Sequence, residues 1–209
     1  MPAPFRSVTS AVIPLLRDDI DTDQIIPARY LKGTQRDGLG EGLFRDWRVD
    51  RDGDPMDPPF VLDRPAMTGR SILLTGHNFG CGSSREHAAW ALMTGGIRVV
   101  LATGFADIFA NNALKNGLLP IALSTSEHAA LRDLLADDTD ATLTVDLVAQ
   151  VIRITGDKTI DFEIDPFARQ MILAGTDQLG WLLERSAAVA RYEADHPVRY
   201  DTRSPAAVV

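Results

Sequence analysis

From residue 71 to residue 136, three short and unbroken apolar runs alternate with three longer stretches whose apolar residues recur on a helical period. The runs are Ser71–Thr75, Ile97–Leu101 and Leu118–Leu123; the stretches between and after them cover 84–94, 106–116 and 126–136. A strand that is apolar at every position is covered on both faces, and strands joined through helices run parallel. The pattern predicts an α/β fold, a mostly parallel sheet flanked by helices. Phe105, Ile108, Phe109 and Ala113 are expected to form the buried side of the second helix, and Leu131, Leu134 and Leu135 that of the third.

On either side of this block the rhythm differs. Val8 to Leu16, with Pro14 inside it, predicts a first strand, followed by an acidic turn over Asp18–Asp23 and a short apolar piece, Gln24–Pro27. Periodicity then collapses between 31 and 68, where glycines and prolines gather; an irregular excursion of that length is usually functional or mobile. Residues 141–146, 149–154 and 159–164 alternate apolar and polar side chains, with a turn at Gly156-Asp157, and predict a short antiparallel section. Two helices, 165–175 and 176–193, are expected to close the fold, the latter burying Leu179, Leu183 and Ala190 on one side with Trp181 adding bulk. With 209 residues and 45% apolar content, the chain reads as one domain over 1–195 and a loose tail over 196–209.

A net charge of −8, with the cations dispersed among carboxylates, argues against a nucleic-acid partner. Neither a signal peptide nor a run approaching the roughly 20 apolar residues of a membrane span is seen, so a soluble, cytoplasmic protein is expected. Cys81 stands alone, which rules out an internal disulfide and any metal or iron–sulfur site built from this chain's thiolates. As a nucleophile it would need His77 or His87 as base, and no orienting Asn or Asp stands at a readable spacing.

Chemistry concentrates where the first apolar run meets the first helix, at Gly76-His77-Asn78-Phe79-Gly80-Cys81-Gly82-Ser83-Ser84-Arg85-Glu86-His87. Glycines let the backbone approach a ligand, and the first amides of a helix attract anions. The same letters hold a plain structural pattern, since Ser83-Ser84-Arg85-Glu86 has the spacing of a capping box. A cap alone requires neither a second hydroxyl nor a guanidinium. A dinucleotide site fails because Arg85 stands where a third glycine belongs, and no G-x-S-x-G elbow supports a serine hydrolase. A third reading is a small carboxylic acid gripped by the fork of Arg85, leaving Ser83 free to take a carbon-bound proton. That chemistry calls for an electrophilic metal to draw away the leaving hydroxyl, and so for a partner subunit that carries one.

Gly80–Ala88 resembles the serine loop of the swivelling domain of the aconitase superfamily, and Asp21–Ala28 resembles its second active-site segment. Together with Gly104–Phe109 and Asn116–Pro120, these segments are similar to the family of bacterial 3-isopropylmalate dehydratase small subunits, the likeness running from about Thr9 to about His196. The resemblance implies a β/β/α sandwich, and a heterodimer whose large subunit holds a [4Fe–4S] cluster through its own cysteines. It implies dehydration of 2-isopropylmalate to 2-isopropylmaleate and rehydration to 3-isopropylmalate, in leucine biosynthesis. Ser83 matches the catalytic base, Ser84 and Arg85 the substrate-carboxylate ligands, and Thr22 and Asp23 the lining beside that serine. Aconitases carry a further arginine where this chain has Tyr30-Leu31-Lys32-Gly33-Thr34, and Leu31 suits an isopropyl group rather than a carboxylate. With Lys32 and Arg36 nearby, a related hydro-lyase such as homoaconitase stays open, as does a non-catalytic anion-binding module.

Overall fold

A computed structural model describes residues 3–31, 38–155 and 158–196. In chain order its elements are β1 (Ser7–Leu15), α1 (Thr22–Ile25), α2 (Leu39–Gly42), α3 (Arg45–Arg48), β2 (Ile72–Thr75), α4 (Glu86–Thr94), β3 (Val99–Ala102), α5 (Asp107–Asn116), β4 (Leu119–Ala122), α6 (Thr125–Asp137), β5 (Thr142–Asp146), β6 (Val151–Ile154), β7 (Lys158–Asp161), α7 (Pro166–Ala174), α8 (Gln178–Glu184) and α9 (Ser186–Asp195). The strands form one sheet of order β4-β3-β2-β1-β5-β6-β7. From β1 to β4 the pairs are parallel, and from β1 through β5 and β6 to β7 they are antiparallel.

The strand β1 belongs to both halves, and it divides its length between them. Ser7–Ala11 pair with β5, whereas Val12–Leu15 pair with β2. Pro14, opposite Leu74, therefore lies where β1 has a registered neighbour on one side, the edge-like setting in which a missing N–H is tolerated. Arg70 ties the junction together. Its buried guanidinium donates to the carbonyls of Val12 (2.7 Å) and Thr139 (2.6 Å) and pairs with Asp140 (2.6 Å), while its Nε reaches the carbonyl of Ala66.

Strand alternation sorts the core onto two faces. Ile13, Leu15, Leu73 and Val100 point to the side covered by Ala88, Ala89, Ala91 and Leu92 of α4 and by Phe109 and Ala113 of α5. Val12, Ile72, Leu74, Val99 and Leu101 point to the other, covered by Leu131 and Leu135 of α6 and continued by Leu143, Val145 and Ile152. The small side chains of α4 let it lie close between the sheet and α2, where a Cβ on Gly40 would stand 3.1 Å from the carbonyl oxygen of Thr94.

Several expectations need correction. The described part of the excursion is not loose, because Leu39, Leu43, Phe44, Phe60, Val61 and Met67 are buried in the first core. Phe44 stacks on Trp47, and Arg17, two residues beyond β1, lies over the Trp47 ring. Ile108 is 52% exposed, since α5 turns Phe109 and Ala113 to the sheet. The last helix breaks at Arg185 into α8 and α9, and it leaves Leu179 and Leu183, together with Ala190, exposed. Of the side chains named for this helix, Trp181 does find cover, edge to face against Phe167 of α7 at 5.0 Å. The turn expected at Gly156-Asp157 and the tail beyond His196 lie outside the described residues.

Candidate active site

The ends of β1, β2 and β3 where parallel strands leave the sheet release three loops on one side, the usual place for a site in such sheets. Gly76 to Arg85 follow β2, Asp18 to Ile25 follow β1, and Gly104 to Ala106 follow β3. Backbone hydrogen bonds lace the three together: Gly80 to Ile20 (2.7 Å), Thr22 to Cys81 (2.9 Å), Phe79 to Gly104 (3.0 Å) and Ala106 to Phe79 (3.0 Å), each donor named first.

Side chains finish the frame. Asp18 accepts the amide of His77 (2.6 Å), and Asn78 donates to Asp19 (2.8 Å). Both Asp19 and Asn78 hold left-handed backbone, which these residue types adopt more readily than most. Phe79, Phe105 and Phe109 form an aromatic floor, with the Phe79 and Phe109 rings edge to face at 5.1 Å. Gly80 rests directly on it at φ +77°, and a Cβ there would fall 2.2 Å from Phe109. Gly80→Ala is expected to cost about 3 kcal/mol of stability, from collision and strained backbone together. A denaturant midpoint unchanged from wild type would contradict this packing.

The capping box that the spacing of Ser83 and Glu86 allows does not form. Arg85 is the N-cap of α4, in extended backbone, and no side chain caps the helix. Two other boxes do close in this chain, Asp21 with Gln24 at α1 and Ser124 with Glu127 at α6. What holds the serine loop is long-range: the Thr22 hydroxyl donates to the carbonyl of Ser83 (2.9 Å). The Ser83 side chain carries no part of that tether, and both Ser83 and Ser84 are exposed.

Ser83, Ser84, Arg85, Thr22 and Asp23 are thus gathered around one corner. Arg85 forms an ion pair with Asp23, the guanidinium 16% exposed and the carboxylate 54% exposed. Thr22 is buried, at 2% exposure, so its hydroxyl acts on the loop and not on open solvent. Leu31 follows the short 3₁₀ turn Ala28–Tyr30 and packs against the first core. Lys32, Gly33, Thr34 and Arg36, which the sequence adds to this segment, lie outside the described residues.

The electrostatics are mixed. Burial first, then the charges of Asp21 and Asp19, push the Cys81 thiol above its ordinary value, so it is less of a thiolate at neutral pH than a free cysteine. The same carboxylates oppose a bound anion, and Asp23 offsets part of the charge of Arg85. Among the described residues no group of three or more His, Cys, Asp or Glu side chains is placed to hold a metal ion. No described helix is long and apolar enough to cross a membrane.

Sequence reasoning overlooked Asp18, Asp19 and Asn78, whose partners stand 59 residues away and leave no local signal. It also overlooked a polar link behind the loop, in which Asn116 bonds to Glu86 and Trp90.

Residues 3–126 match the family model of the aconitase C-terminal domain, and residues 129–166 match the LeuD_N model. A 3-isopropylmalate dehydratase small subunit from a Roseiflexus species is 50% identical over 199 residues, 95% of this chain and 97% of its own length. Another from Anaeromyxobacter dehalogenans is 52% identical over 190 residues, covering 91% of this chain and 97% of the relative. The crystal structure of the 3-isopropylmalate dehydratase leuD from Methanocaldococcus jannaschii superposes with a TM-score of 0.64 at 31% identity, over 89% of this chain and 99% of that one.

Proposed function

The chain belongs to the aconitase C-terminal domain family and, within it, to the small subunits of 3-isopropylmalate dehydratase, and on that footing we propose that its serine loop supplies the proton-handling half of the active site. The reaction interconverts 2-isopropylmalate and 3-isopropylmalate through 2-isopropylmaleate. In the dehydration a C–H bond breaks, its proton goes to the oxygen of Ser83, and its electron pair forms the double bond as hydroxide leaves the neighbouring carbon. Rehydration returns hydrogen and hydroxyl to interchanged carbons.

The observation that carries this reading is the exposed Ser83 hydroxyl, two residues ahead of a helix start that no side chain caps. Backbone amides and the dipole of α4 lower the cost of negative charge on that oxygen, and Arg85 adds a full positive charge nearby. Arg85 and Ser84 bind a substrate carboxylate. Asp23 keeps the guanidinium extended until substrate arrives, and Thr22 fixes the height of the loop through its bond to the Ser83 carbonyl.

The residues of this chain do not fit an iron–sulfur cluster, because it has a single thiol and no ligand group is assembled among the described residues. The [4Fe–4S] cluster of the reaction is therefore assigned to the large subunit, and the functional unit to a cytoplasmic heterodimer. Aspartates crowd the corner, so the chain alone is a poor receptor for a dianion, which also favours a site completed by a partner. The test is reconstitution with a cluster-bearing large subunit, following isopropylmaleate absorbance. Turnover that needs both chains supports the reading; a complex that forms but never turns over sinks it.

Leu31 is proposed to meet the isopropyl group. Leu31→Arg is expected to lower kcat/KM for 2-isopropylmalate about a hundredfold, since an apolar group would face a charge that must stay solvated. An unchanged kcat/KM would remove Leu31 from the substrate pocket.

A further inference from the structure

We propose that Asn116 is a positioning residue for the dehydratase reaction, acting by holding the Glu86 carboxylate away from Ser83; this rests on Ser83 being the base. Ser83 and Glu86 have the capping-box spacing, although α4 starts only at Glu86 with Arg85 as its N-cap; Ser124 and Glu127 show how a glutamate three residues on closes over a serine that is itself the N-cap. Glu127 accepts the backbone amide of Ser124 at 2.8 Å and its hydroxyl at 2.6 Å. The same closure at Ser83 would commit its hydroxyl to a carboxylate and set a second negative charge beside the oxygen, opposing loss of the proton.

At Glu86 something does intervene. Asn116, 2% exposed at the C-terminal end of α5, donates from Nδ2 to Glu86 at 2.7 Å and to the carbonyl of Asn112 at 2.9 Å. Its Oδ1 accepts from the Trp90 indole at 2.8 Å. An indole N–H can only donate and a carboxylate can only accept, so the amide has one workable orientation, with its NH₂ toward Glu86. Trp90 and Glu86 both lie on α4, one turn apart, so the helix that carries the reactive loop also carries the lock.

The test uses the small subunit reconstituted with its large subunit. Asn116→Asp keeps the shape but turns carboxylate against carboxylate, and kcat is expected to fall about thirtyfold. Glu86→Gln alone should stay within about threefold of wild type, and combined with Asn116→Asp it should recover most of the lost rate. Trp90→Phe frees the amide without burying a charge; a smaller loss of about fivefold, likewise recovered by Glu86→Gln, is expected, and this arm serves if Asn116→Asp does not fold. Two results overturn the inference: Glu86→Gln as slow as Asn116→Asp, or a double variant no faster than the Asn116 or Trp90 variant alone. Inactivity of the wild-type complex would instead count against the function itself, before any variant is made.

Discussion

Ser83→Ala, paired with the large subunit, is expected to lower kcat by about a thousandfold while leaving stability within about 0.5 kcal/mol of wild type. The two halves of this expectation come from different atoms of one residue. The loop is tethered through the Ser83 carbonyl, which accepts from Thr22, and alanine keeps that carbonyl. The hydroxyl is exposed and forms none of the bonds that hold the loop, so its loss leaves no buried group unpaired. Catalysis, in contrast, is expected to lose the group proposed to move the proton. Turnover and a thermal melt on the same preparation separate the outcomes. Activity that survives the substitution would mean that the proton is taken elsewhere, and a large drop in melting temperature would mean that the residue was structural after all.

Arg85→Ala is expected to lower kcat/KM by two to three orders of magnitude, about 3–4 kcal/mol, with most of the change in KM. A guanidinium offers a carboxylate two parallel hydrogen bonds, and neither alanine nor the point charge of lysine replaces that fork. Asp23, the partner left behind, is more than half exposed and returns to water, so the cost to the fold is confined to the packing of the Arg85 stem, which is only 16% exposed. Arg85→Lys should recover less than a tenth of the loss in kcat/KM. Steady-state kinetics on 2-isopropylmalate read both variants. A KM that does not move would show that the substrate carboxylate is held by another residue, and the pair with Asp23 would then be only a surface contact.

What could be read in advance was what depends on neighbours in the chain. Unbroken apolar runs announced β2, β3 and β4, and helical periods announced α4, α5 and α6, because each is buried along a whole face or on both. The serine loop was legible as chemistry from its composition, whereas the segment around Thr22 read as an acidic turn and gained a site role only through the family resemblance. That they touch depends on a hydrogen bond between residues 61 positions apart, which no window of sequence contains. The cap that the spacing of Ser83 and Glu86 allowed fails for the same reason: Asn116 takes the Glu86 carboxylate from another helix, and α4 starts only at Glu86, with Arg85 as its N-cap. Leu179 and Leu183 failed differently. Periodicity reports which residues share a side, and it cannot report whether anything is left to cover that side.

The sharing of β1 between the two halves of the sheet bears on how this chain can be cut. The matched family regions part between residues 126 and 129, at the start of α6, as though the chain were two modules laid end to end. Yet Ser7–Ala11 find their ladder partners at Thr142–Asp146, beyond that seam. A fragment stopping there would carry the whole serine loop on a sheet with a raw edge and one bare face, an invitation to stick to its own copies. The matched regions and the folding unit have different borders here, and a protein trimmed at residue 126 is expected to lose activity through insolubility before any chemistry could be measured.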